Sequence, residues 1–150
     1  MAHPGSANTV LNIFRHPKTP QHFVILSGDV HYSFVYDIQL RFRNSSPKIW
    51  QITSSGIKNQ FPSTLIHILD TLNRYLYSVY SPLNWFTKRR DMKVSYRKVV
   101  SLQNIQKPHR RLVEKSSLGY VEFNDDGSPK RILDLHNDGS VTQFVESKSN

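Results

Sequence analysis

The sequence predicts an α+β chain in which strands come both before and after one amphipathic helix. Phe34, Tyr36, Ile38, Leu40 and Phe42 alternate at period two, the spacing that lines one face of a strand. Leu65, Ile66, Ile68, Leu69, Leu72, Tyr75, Leu76 and Val79 recur instead at three- and four-residue steps, the spacing of a helix face. Two Asp-Gly pairs, Asp126-Gly127 and Asp138-Gly139, separate short alternating runs near the end and predict a C-terminal three-stranded β-meander.

The elements follow in order. Residues 1–11 read as a flexible leader, without the basic start and apolar block of a signal peptide. Residues 12–21 read as a polar loop punctuated by Pro17 and Pro20. Phe23, Val24, Ile25 and Leu26 form a continuous apolar run, expected as a strand buried on both faces and ending at Ser27-Gly28-Asp29. The alternating strand 32–42, a turn at Asn44 to Pro47 and a returning strand 49–53 predict an antiparallel hairpin. Pro62 with Ser63 or Thr64 starts the helix, about four turns long, and Pro82 ends it. Residues 84–116 read as a basic, loop-rich insert, with 93–100 having the composition of a strand.

Composition narrows the class. A chain of 150 residues is about one domain, and 37% hydrophobic content fits a globular rather than a disordered protein. No stretch approaches the roughly 18 uninterrupted apolar residues of a membrane span, so none is expected. There is no cysteine, which excludes disulfides, thiolate zinc sites and a thiol nucleophile and fits a cytoplasmic protein. Residues 88–115 hold ten Lys or Arg against Asp91 and Glu114, nearly all of the net charge of +9. Such a patch favours an anionic partner: a phosphate ester, nucleic acid or an acidic lipid surface. No Gly-rich phosphate loop is present, so nucleotide-binding readings lack their motif.

The segment Gly28-Asp29-Val30-His31 carries the chemistry. A strand that stops at Gly28 places the next side chains at the carboxyl end of a sheet, where sites commonly form, and glycine lets the backbone turn there without a Cβ clash. Asp29 and His31 offer a carboxylate and an imidazole two residues apart, a pair suited to iron, manganese or zinc, with calcium open to the carboxylate alone. A turn with a solvated histidine is the plain alternative. Ser54, Ser55 and Asn59 stand ready to hydrogen-bond a phosphate or orient a ligand, or simply to end a strand. Arg89, Arg90, Arg97 and Lys98, interleaved with Trp85, Phe86 and Tyr96, could attract an anionic substrate or hold nucleic acid by stacking and phosphate contacts. His67 reads as a boundary residue of the helix and His136 as an exposed residue before a turn. His22 and His109 have no histidine at the four-residue step of a helical metal site.

The run Leu26-Ser-Gly-Asp-Val-His-Tyr-Ser-Phe-Val35, followed by Trp50-Gln-Ile-Thr-Ser-Ser-Gly-Ile-Lys-Asn59, resembles the C-terminal part of PhoD-like alkaline phosphatases of the calcineurin-like metallophosphoesterase superfamily. The final Leu118-Gly-Tyr-Val-Glu-Phe123 hairpin is similar to the terminal strands of that family. The resemblance runs over about residues 12–145 and implies that 12–150 are the C-terminal portion of such a domain, part of a metallophosphatase-like β-sandwich. It further implies a metal-dependent phosphoric ester hydrolase with a two-metal centre of iron, calcium, manganese or zinc. Asp29 would be a ligand, and His31 either a ligand or the catalytic group facing the phosphate. Such a centre needs several carboxylates or imidazoles around ions about 3.5 to 4 Å apart. The early Asp-x-His, Gly-Asp and Gly-Asn-His motifs of the superfamily do not precede Gly28. The chain is therefore expected to be inactive alone, with the missing N-terminal part of the enzyme as its partner. A basic anion-binding module and a non-catalytic structural remnant are the alternatives.

Overall fold

Helix α1 spans Pro4–Arg15, and strands β1, His22–Ser27, β2, Phe34–Leu40, and β3, Lys48–Thr53, follow it. Helix α2 spans Ser63–Leu76, and then come β4, Met92–Tyr96, β5, Lys98–Ser101, β6, Ser117–Phe123, β7, Pro129–His136, and β8, Val141–Val145. The computed structural model describes residues 4–18, 22–28, 30–40, 47–56, 62–76, 81–82, 92–103 and 111–146. The strands build two four-stranded sheets, ordered β1-β3-β2-β4 and β5-β8-β7-β6. The architecture is mixed α+β, mostly strand.

In the first sheet β2 and β3 pair antiparallel with Phe34 opposite Thr53 and Ile38 opposite Ile49, the expected hairpin, whose turn at 44–46 lies outside the described residues. β3 is also paired in parallel with β1, His22 opposite Lys48 through Ser27 opposite Thr53. The returning strand thus inserts between β1 and β2. This leaves β1 at a sheet edge, half-buried, with Leu26 and Ser27 exposed. The expectation of burial on both faces is corrected: His22 to Ile25 are half-buried, and Leu26 and Ser27 are exposed.

The first sheet is apolar on both faces. Val35, Trp50 and Ile52 meet Val113, Ile132 and Phe144 of the second sheet and the segment leading into it, making one core between the sheets. Leu40 and Ile49, with Phe23, Ile25 and Ile38 packed around them, point the other way, as strand alternation requires. Both helices lie on that second face. Phe14 of α1 sets its ring against Phe23 at 4.7 Å, and Asn73 of α2 donates to the Tyr36 hydroxyl at 2.9 Å. The molecule has three layers: helices, first sheet, second sheet.

Helix α1 replaces the expected leader and the first part of the loop. A helix of 12 residues is marginal by itself, and its stability comes from Phe14 docking on β1, a contact that local composition does not announce. Helix α2 starts at the expected Ser63, directly after Pro62. Among the described residues of its apolar stripe only Ile66 is fully buried, whereas Leu65, Ile68, Leu72 and Tyr75 stay exposed. Val79 lies outside the described residues.

The basic insert is less loop-rich than expected. Residues 92–101 form two strands on either side of Arg97: β4 pairs with β2 in the first sheet and β5 with β8 in the second. Arg97 is 4% exposed, and its guanidinium donates to both carboxylate oxygens of Asp37 at 2.9 to 3.1 Å and to Glu146 Oε1 at 3.0 Å. The meander stands as expected, β6 on β7 on β8, with Gly127 at φ 79° and Gly139 at φ 77°, left-handed conformations that glycine adopts at no steric cost.

Candidate functional site

The corner begins where the parallel pair β1–β3 ends. Ser27 and Thr53 are opposite in register, and their hydroxyls bond at 2.6 Å. One residue on, the Ser54 N–H donates to the Ser27 carbonyl at 3.1 Å, so 27–28 and 54–56 leave the sheet side by side. His31 is exposed at this corner and Val30 is half-buried. Asp29 lies outside the described residues, as do Asn59, Arg89, Arg90, Trp85, Phe86 and His109.

Gly28 is not needed for the reason the sequence suggested. Its φ is ordinary, and a Cβ placed on it would meet nothing nearer than the Ser54 carbonyl oxygen at 3.6 Å, a normal contact. The close approach belongs to Gly119 in β6, where a Cβ would come within 2.9 Å of the Ser54 Cβ. Gly119 stands directly opposite Asp134 of β7. Its missing side chain opens the slot through which Ser54 reaches into the second sheet.

Ser54 and Ser55 accordingly face inward. The Ser54 hydroxyl donates to Asp134 Oδ1 at 3.4 Å and lies 3.4 Å from the Ser117 hydroxyl. Ser117 bonds Ser33 at 3.1 Å, and Ser33 Oγ accepts the Ser55 N–H at 2.8 Å. Ser33 is itself fixed by two backbone bonds with Val113, at 2.8 and 3.0 Å. Ser54 is thus engaged through its hydroxyl and Ser55 through its amide, whereas the Ser55 hydroxyl is buried with no hydrogen-bond partner among the described residues.

Asp134 is 2% exposed, and its Oδ2 has no hydrogen-bond partner among the described residues. Burial pushes its carboxyl above the ordinary range, opposed by the Ser33, Ser117 and Ser54 hydroxyls and by His136. His136 is 7% exposed, bonded through Nε2 to Thr142 Oγ1 at 2.6 Å. Its expected exposure is corrected: period-two alternation puts 132, 134 and 136 on the face that meets the first sheet. Burial lowers its affinity for a proton, against the opposing pull of Asp134.

The basic residues separate. Arg97 is corrected as an anion-attracting group, since its charge is buried and taken by Asp37 and Glu146. Lys98 is exposed. Tyr96, expected as a stacking platform, has the Arg111 guanidinium 3.2 Å over its ring. Among the described residues no three His, Cys, Asp or Glu side chains gather as a metal cage. No described helix is long and apolar enough to cross a membrane.

Sequence reasoning missed Ser33, Ser117, Gly119 and Asp134. The available signal was Gly119 itself, since a glycine inside a strand often marks a close backbone approach. No family model, curated protein or solved structure matches the chain.

Proposed function

We propose that this chain carries the late metal-binding corner of a metal-dependent phosphoric ester hydrolase of the PhoD-like kind, within a metallophosphatase-like β-sandwich. Asp29 and His31 contribute to the centre, and residues from an upstream part of the enzyme complete it. The observation that carries the reading is the corner itself. His31 is exposed in the segment that follows β1, and the end of β1 is pinned to the end of β3 by the Ser27–Thr53 and Ser54–Ser27 bonds. Sites in sheet proteins commonly form at such strand ends. The long segment around Gly28-Asp29-Val30-His31 and its resemblance to the superfamily add the chemical class.

The test compares the 150-residue chain with a version extended upstream, using metal analysis and turnover of an aryl phosphate. The expected outcome is little or no turnover from the chain alone. The extended protein gains metal-dependent turnover, and Asp29→Ala and His31→Ala each abolish it. Strong metal-dependent turnover by the chain alone, lost in both variants, overturns the idea that the centre is incomplete.

A further inference from the structure

We infer that Asp134 is a positioning residue for the Gly28 corner, acting through a cluster of serine hydroxyls that clasps the end of the first sheet to the second. The inference stands on the hydrogen-bond geometry and holds whatever the corner binds.

Asp134 is the shared acceptor of the cluster: the Ser33, Ser117 and Ser54 hydroxyls all favour its charged form. Ser54 donates to it at 3.4 Å and lies 3.4 Å from the Ser117 hydroxyl, which lies 3.1 Å from that of Ser33. Ser33 in turn receives the Ser55 N–H, a group able only to donate. The network therefore links the Ser55 amide to Asp134.

Asp134 is the carboxylate of this cluster, and its loss leaves the buried Ser33 and Ser117 hydroxyls and the half-buried Ser54 hydroxyl without their shared acceptor. Ser33, Ser117 and Asp134 are each 5% exposed or less, so water does not readily replace the missing group. Gly119 makes the clasp possible by leaving the space that Ser54 enters. Ser54 is held to Ser27, and Ser33 follows His31 by two residues. The clasp thus grips the corner on both sides, from a strand about 100 residues later in the sequence.

The test measures amide hydrogen exchange and the His31 ring resonances in the full chain. Asp134→Ala is expected to speed exchange at Ser33, Ser54 and Ser55 about tenfold relative to Thr142 and Phe144 in β8, and to shift the His31 ring signals. Asp134→Asn keeps an acceptor for Ser54 and is expected to restore both. Ile132→Val, a core truncation on the same strand, is expected to leave the relative exchange of the corner unchanged. Gly119→Ala keeps Asp134 but displaces Ser54, and is expected to reproduce the Asp134→Ala pattern; it decides the matter should Asp134→Ala fail to fold. The inference is overturned by equal changes at the corner and in β8, by an Asn variant that restores nothing, or by a Gly119→Ala protein with an undisturbed corner.

Discussion

Replacing Arg97 by methionine keeps much of the aliphatic stem and deletes the guanidinium, which strips Asp37 of the donors that reach it at 2.9 and 3.1 Å. The Arg97 side chain is 5% exposed and that of Asp37 25%, so the orphaned carboxylate keeps only partial access to water. Breaking a buried pair by removing one partner costs about 3 to 5 kcal/mol. The partial exposure of Asp37 puts this case near the lower end. Glu146 lies mostly in solvent, and its share is at most about 1 kcal/mol. The expected destabilisation is about 3 kcal/mol. With a urea slope of about 2 kcal/mol per molar, the midpoint falls by about 1.5 M. Trp50, buried between the sheets, reports the transition by fluorescence. The double variant Arg97→Met, Asp37→Leu removes the stranded charge and is expected to recover most of the loss. A single variant within about 0.3 M of the parent, or a double variant as weak as the single, refutes the reasoning.

Two further outcomes are expected. Gly28→Ala changes stability by less than about 0.5 kcal/mol, because its backbone is ordinary and the new methyl meets only an oxygen at 3.6 Å; thermal melting checks this, and a large loss would restore a conformational role to Gly28. The pH dependence of folding is expected to carry the signature of Asp134. Its folded pKa is raised above 3.8, so its contribution is full below 3.8 and is lost as pH rises through the folded value. Asp134→Asn, titrated with urea from pH 4 to 7, should therefore gain on the parent as pH rises across that window, whereas a constant difference would count against the shift. His136 acts with the opposite sign, its folded pKa lying below 6.5, so its contribution is lost as pH falls through that lower value.

Elements governed by local period were legible in the sequence. The β2–β3 hairpin, helix α2 and the meander each rest on a repeat of apolar residues or an Asp-Gly turn, which neighbours in sequence suffice to specify. What escaped depends on distant partners. Helix α1 is held by Phe14 on Phe23, across a loop. The segment 92–101 has one continuous strand composition, and the break at Arg97 becomes visible only when Asp37 and Glu146 are seen to converge on it. At the site, Gly28 drew attention as a turn former, but the steric demand sits at Gly119, whose neighbour Ser54 is 65 residues away in the chain. The inward face of β7 is not legible from alternation, which would turn Leu133 and Leu135 inward; Asp134 and His136 are buried instead, because their partners Ser54 and Thr142 come from outside β7.

The single residue between β4 and β5 has a mechanical consequence. One residue spans at most about 3.6 Å, so the tether joining the two sheets at Arg97 has no slack, and the Arg97 N–H bond to the Val35 carbonyl at 3.0 Å holds it down. At that edge the layers have no hinge to swing on. Opening the gap between them there means tearing a strand out of one sheet or the other, so access to Trp50 from that side requires unfolding rather than breathing.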